Sequence, residues 1–300
     1  MADAERTQER LDNIRTVQPI VSALRTISLG SWQAALHRLT GLETYADRLQ
    51  AILFLLAPHL PRPRWDWLPF SLGAARQSAA ASGRGVILVV GSERGLCGGF
   101  NDAVIRRAQA YHAEHAQREL WVLGGRVERL LSRTDLQIDW SRNLATSALP
   151  PFSLPLELTR RWLTAFEAGE LDTVHVVYNA YQRAGRYEPT VTSFIPPEPP
   201  STDVSAAPQD RVILETDPLS LYTRVVEQWA AIDLYMLLLD SAAAEHATRY
   251  QLMEGAARNA ERLIEELTAE LQAIRRQKIT QEMQELATGA GLLGDEDDRP

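Results

Sequence analysis

Cys97 is the only thiol of the chain, and it lies in a glycine-rich stretch, Ser92-Glu-Arg-Gly-Leu-Cys-Gly-Gly-Phe-Asn101. A thiol there becomes a nucleophile if a neighbouring base or a helix N-terminus lowers its pKa. A helix beginning just after Gly99 would serve, but His112 and His115 lie far along it and form no Cys–His signature. A glycine-rich turn between strand and helix can also cradle phosphate. Gly95-Leu-Cys-Gly-Gly99 matches neither G-x-G-x-x-G nor G-x-x-x-x-G-K-[ST], and no lysine is near it. The simpler expectation is that Gly95, Gly98 and Gly99 provide a tight turn and close backbone contact, with Cys97 packed as a small residue. The six histidines show no metal-ligand spacing, and His112 and His115 are expected on a solvated helix face. No catalytic residue, metal or cofactor is expected.

The elements around this stretch follow from hydrophobic period. Gly85–Gly91 is a continuous apolar run, the mark of a strand buried on both faces. A helix from about Asn101 to Gln117 follows, then a strand at Glu119–Gly124 and a helix at Arg126–Arg133. A third strand is expected at Leu136–Trp140, a helix at Leu154–Ala168, a strand at Leu171–Tyr181 and a half-exposed strand at Tyr187–Ile195. Such alternation gives an α/β (Rossmann-like) domain with a mainly parallel sheet.

Both ends of the chain carry a different signal. From Asp217 to Ala287 one seven-residue row is Val225, Ile232, Leu239, His246, Met253, Ala260, Leu267 and Ile274. A second is Trp229, Met236, Ala243, Tyr250, Ala257, Ile264 and Leu271, ending at Lys278. Such a repeat is the sequence form of a left-handed coiled coil, and roughly 70 residues would make a helix on the order of 100 Å long. Ala4–Ala57 reads likewise, with Ile14, Val21, Ser28, Ala35, Leu42, Leu49 and Leu56 on one row and Leu11, Trp32, Leu39, Ala46 and Leu53 on a neighbour. Pro19 is a defect costing about 3 kcal/mol, so a kink or break is expected before it. The expected fold is a long antiparallel two-helix coiled coil from the two terminal segments, with the α/β domain inserted between them. The boundaries are 1–58 for the first helix, 59–84 for a Pro-rich linker and 85–196 for the α/β domain. A second linker at 197–216, the final helix at 217–288 and an acidic tail at 289–300 complete the chain.

A formal charge of -8 excludes the broad basic footprint of a nucleic-acid binder. One cysteine excludes an internal disulfide and fits a reducing compartment. The first 15 residues are too charged for a secretory signal, and Trp229–Leu239, the most apolar run, is too short to span a bilayer. Direct membrane insertion is therefore not expected. Arg275, Arg276 and Lys278 form a local basic cluster in an otherwise acidic helix, which suits docking.

Taken together, these residues resemble one family. Ser92–Asn101 is similar to the S-D-R-G-L-C-G-G-L-N signature of the γ subunit of F-type ATP synthases. Ile279–Ala290 (ITQEMQELATGA) resembles that family's I-T-x-E-x-x-E-I-x-x-G-A ending. Glu245–Leu267, Val176–Pro197 and Arg10–Ser28 resemble further family blocks in the right order. The resemblance implies a rotor shaft with no catalytic site of its own. Its coiled coil would stand inside a hexameric ring of α and β subunits, and its α/β foot would meet the ε subunit and the membrane c-ring. It would sit peripherally on the cytoplasmic face of the membrane. Differential contacts would let rotation bias the catalytic β subunits, coupled to proton flow. By position, Arg249, Arg275, Thr280, Gln281 and Glu282 would make polar contacts with the ring. The loop of Gly95, Cys97, Gly98 and Gly99 would face a β-subunit lever. The chain departs from the pattern at Pro19–Leu24, at Ser28–Gln33, at Arg275-Arg276 and at Glu93, where the family has aspartate. A γ-like rotor of a paralogous F1-like ATPase therefore stays open, as does an α/β enzyme with a coiled-coil dimerisation arm.

Overall fold

The computed structural model describes residues 2–56, 59–60, 84–144, 149–195 and 214–289. Residues 61–83 of the expected linker at 59–84, 197–213 of that at 197–216 and 290–300 of the acidic tail lie outside them. Among the described residues the elements run α1 (Ala2–Leu56), β1 (Gly85–Val90), α2 (Phe100–Glu114), β2 (Glu119–Leu123), α3 (Gly125–Leu131), β3 (Trp140–Arg142), α4 (Ser153–Glu167), β4 (Thr173–Arg183), β5 (Arg186–Ile195) and α5 (Pro218–Gly289). The chain divides into two compact units, Ser28–Gln251 and Met1–Ile27 with Leu252–Pro300.

In the larger unit the strands pair in the order β3-β2-β1-β4-β5. β1 is parallel to β2 and to β4, β3 is parallel to β2, and β5 closes the sheet antiparallel to β4. The six residues of β1 are all buried, as its unbroken apolar run requires. Val86, Leu88 and Val90 point to one face, against Leu158 and Trp162 of α4 and Ala230, Leu234 and Leu238 of α5. Ile87 and Val89 point to the other, against Val104 and Ala108 of α2 and Val127 and Leu131 of α3. Each such side chain contributes about 1.5–3 kcal/mol, so β1 anchors both layers.

The run Trp229–Leu239 is apolar on several faces because α5 is packed from several sides. Ala230, Leu234 and Leu238 join the sheet, while Ile232 meets Leu49, Leu53 and Leu56 of α1. Tyr235 and Leu239 pack with Ala35 of α1. The start of α5 is set by Asp217, whose carboxylate accepts from the Ser220 N–H at 2.9 Å, with Pro218 in the first turn.

The smaller unit pairs the first part of α1 antiparallel with the last part of α5. Thr7 Oγ1 donates to Glu270 at 3.2 Å and Arg25 meets Glu254 at 3.1 Å. Next to the first tie, Leu11 packs with Leu267 and Leu271, flanked by Ile14 and Ile264. The solvent-screened, part-buried ion pair adds only about 1 kcal/mol, so this apolar seam holds the unit.

Two expectations need correction. The expected kink or break at Pro19 is not a break, since α1 continues as one helix through it. Arg15 and Pro19 are both exposed, so the Arg15 carbonyl that loses its helical donor faces water. The third strand lies later than its sequence suggests, at Trp140–Arg142. Asp139 bonds both ways to Leu120, its N–H donating to the Leu120 carbonyl at 2.9 Å and its carboxylate accepting the Leu120 N–H at 2.7 Å. Leu136 and Ile138 pack instead against the α2–α3 layer.

Gly124, between β2 and α3, is where glycine is obligatory. Its φ is +113°, and a Cβ there would lie 2.7 Å from the Gly91 carbonyl oxygen and 2.8 Å from that of Ser92. Gly124→Ala is expected to cost about 2 kcal/mol, read as a lowered urea midpoint with unchanged slope.

Candidate functional site

In an open α/β sheet the ligand crevice lies at the carboxyl ends of the strands, where strand order reverses. Here that point falls between β1 and β4, and Ser92–Gly99 is the loop above it. The crevice is filled from within the chain. Cys97 and Phe100 pack against Ala244 of α5, with Tyr181 and Tyr187 alongside. At the next loop the N-terminus of α3 is also taken, because Glu93 accepts the Gly125 N–H at 2.9 Å and the Leu144 N–H at 2.9 Å. A phosphate would have to displace a carboxylate there.

Ser92 and Asn101 hold the base of the loop. The Asn101 side chain accepts the Ser92 N–H at 2.9 Å and donates to Ser92 Oγ at 2.7 Å. Ser92 Oγ donates in turn to the Arg94 carbonyl at 2.6 Å. The chain then passes through positive φ twice, at Leu96 (+63°) and Gly98 (+57°). Leu96 is a strained non-glycine residue presenting an apolar side chain that is 60 % exposed. Of the three glycines expected to be needed for close contact, only Gly98 has such a backbone. A Cβ at Gly95 or Gly99 would meet nothing within 4 Å, so this chain alone imposes no glycine there. Cys97 is buried, and burial pushes its thiol up, with Ser92 opposing, which is the reverse of an activated nucleophile.

Arg249, expected to make a polar contact with the ring, is held by its own chain. It is 8 % exposed, and its guanidinium is taken up inside the chain. It donates to the Gly95 carbonyl at 3.2 and 3.3 Å, to the Arg94 carbonyl at 3.5 Å and to the Glu245 carboxylate at 2.5 Å. Its planar fork thus clamps the loop onto α5. His115, expected in solvent, stacks on Tyr111 with ring centroids 4.3 Å apart.

At the far end of α5 every residue from Arg275 to Leu286 is exposed. Arg275, Thr280, Gln281 and Glu282 all present their side chains there. Lys278 meets Glu282 at 3.6 Å, and Gln281 donates to Glu285 at 3.0 Å, both one turn along the same helix. Ile279, Met283 and Leu286 are 57, 66 and 73 % exposed. These three went unnoticed in the sequence, although their spacing of four and three was visible. They fall off both seven-residue rows, whose last buried member is Leu271.

The chain matches the family model described as ATP synthase over residues 3–293. It is 26 % identical over 287 residues to the ATP synthase gamma chain of Pelotomaculum thermopropionicum, covering 95 % of this chain and 97 % of that one. It is 28 % identical over 295 residues to the ATP synthase gamma chain of an Anaeromyxobacter species, again covering 95 % and 97 %. In fold it is similar to a chain of the Euglena gracilis mitochondrial ATP synthase rotor. That match has a TM-score of 0.59 and 12 % identity, over 93 % of this chain and 99 % of that one. With a whole-length family match and the two-helix-plus-α/β architecture in agreement, the chain belongs to the ATP synthase gamma family.

Proposed function

We propose that this gamma-family chain works as the central rotor shaft of an ATP synthase, a non-catalytic subunit peripheral to the membrane. In this reading, α5 beyond the coiled-coil seam runs in a ring of α and β subunits. The sheet unit is the foot, meeting an ε subunit and the membrane c-ring on the cytoplasmic side. Torque then needs no chemistry in the shaft. It needs contacts that differ among the catalytic β subunits, so that each orientation favours a different nucleotide affinity.

The observation that carries this reading is the exposed apolar stripe Ile279, Met283 and Leu286 on a helix end with no buried residue from Arg275 to Leu286. A helix that ends in water gains nothing from three such side chains, whereas a ring lined with apolar residues would bury them. Arg275, Thr280, Gln281 and Glu282 supply polar contacts around that stripe. The Gly95–Gly99 loop, with Leu96 at its tip, meets a β-subunit lever. Arg249 acts behind it by fixing the loop.

Reconstitution with α and β subunits tests the reading. The full chain is expected to co-purify with both and to raise their ATPase rate. A variant with Ile279, Met283 and Leu286 all changed to serine should lose about tenfold in that stimulation, consistent with roughly 1.4 kcal/mol of lost apolar contact. Full stimulation by the triple variant would remove this end of α5 from the ring.

A further inference from the structure

At the opposite end of the strands from the loop, three elements bring together a cluster that the rotor reading does not use. Tyr111 and His115 come from the end of α2, Arg118 from the turn before β2, and His175 from β4. Arg118 Nη1 bonds the Tyr111 hydroxyl at 3.0 Å and His175 Nδ1 at 3.0 Å. The Tyr111 ring stacks on His115 and lies 5.4 Å from that of His175. We infer that Tyr111, His115, Arg118 and His175 form a binding site for a phosphate group, either free phosphate or the headgroup of an anionic lipid.

The charge pattern carries this. Arg118 is part-buried and, among the described residues, meets no carboxylate. The nearby acids are engaged elsewhere or turned outward. Glu119 accepts the Trp121 indole N–H, Asp172 is paired with Arg84, and Glu114 is exposed on α2. A guanidinium whose neighbours are neutral rings keeps its full charge for an incoming anion. The hydrogen bonds also set the tautomers. Because Arg118 donates to His175 Nδ1, the His175 proton sits on Nε2 and is available as a donor. His115 Nδ1 is 2.9 Å from the Tyr111 carbonyl, so in the neutral ring its proton sits on Nδ1 and Nε2 is the acceptor. Burial, then Arg118, then His115 hold His175 down at about 4, so the cluster resists a second positive charge until an anion compensates it. A phosphate dianion matches the Arg118 charge plus one imidazolium, and it has enough oxygens for the guanidinium fork, the phenol and an imidazole.

The test is histidine-imidazole NMR on the full chain, titrated in inorganic phosphate and in chloride at equal ionic strength. Phosphate is expected to raise the titration midpoint of His175, with Arg118→Gln weakening the effect about tenfold and Arg118→Lys retaining most of it. Tyr111→Phe, which keeps the ring stack and removes one hydroxyl, is the second variant should Arg118→Gln fail to fold. Vesicles of phosphatidylglycerol, against phosphatidylcholine, form the other arm. A shift with phosphate assigns the site to the free anion, and a shift with the anionic vesicles alone assigns it to a headgroup. If chloride matches phosphate and neither vesicle moves His175, or if the folded variants respond like the native chain, the inference is overturned.

Discussion

Replacing Arg249 by alanine is expected to destabilise the chain by about 3–5 kcal/mol, the usual cost of stranding one member of a buried ion pair. Glu245 is 9 % exposed and would lose its guanidinium partner, while the Gly95 carbonyl would lose two donors and that of Arg94 one. The pair itself is a weak source of net stability, because both charges must leave water. A double variant, Glu245→Leu with Arg249→Leu, should therefore recover much of the loss, and urea unfolding of the single and double variants gives the coupling. The loop supplies an independent readout. Cys97 is 2 % exposed beneath it, so a thiol reagent should label the native chain slowly and the Arg249→Ala chain quickly. Equal labelling of the two would mean that Arg249 does not hold the loop.

Asp233→Asn should stabilise the chain by about 3 kcal/mol at pH 8 and leave it unchanged at pH 4. Asp233 lies on α5 between the core residues Ala230 and Leu234, and burial raises its carboxyl to about 6. A carboxyl with a raised folded value binds its proton more tightly in the native state than in the unfolded chain. Its contribution is fully present below the ordinary carboxylate range and is lost as pH rises through about 6. Asparagine mimics the neutral acid, so the gain belongs to high pH only. Asp240, one heptad on, is also raised to about 6 by burial, opposed by the Tyr181 N–H that it accepts at 3.2 Å. It is more open to water and adds a smaller change in the same direction. Urea midpoints of native and Asp233→Asn chains at pH 4 and pH 8 decide the matter. A difference equal at both pH values would show that ionisation is not its source.

The long helices and the sheet were legible because each rests on a period sustained over many residues. Val225 to Ile274 repeats every seven, and Gly85–Val90 is apolar without interruption, so tertiary packing had only to agree with the local pattern. The misses have a common cause, which is that a single contact outweighed local preference. Asp139 bonding Leu120 delayed β3 past Leu136, and an exposed position made Pro19 tolerable inside α1. The loop motif was visible as a string, but its support was not. Arg249 is more than 150 residues away from Gly95, and no spacing rule joins them. Position in the family pattern picked out Arg249, but the carbonyls and carboxylate it bonds within the chain could not be read from it. Glu93 shows the converse. It departs from a familiar string by one methylene, and its carboxylate reaches both Gly125 and Leu144.

The central claim is that this chain turns inside its partners and carries torque between them. The most direct measurement is single-molecule rotation of the assembled complex with the α and β subunits fixed to a surface. A bead would be attached through Arg133→Cys, an exposed position in the turn after α3, with buried Cys97 left in place. On adding ATP the bead is expected to turn in one direction, pausing once for each catalytic β subunit. ATP hydrolysis at an undiminished rate with the bead stationary would contradict the account.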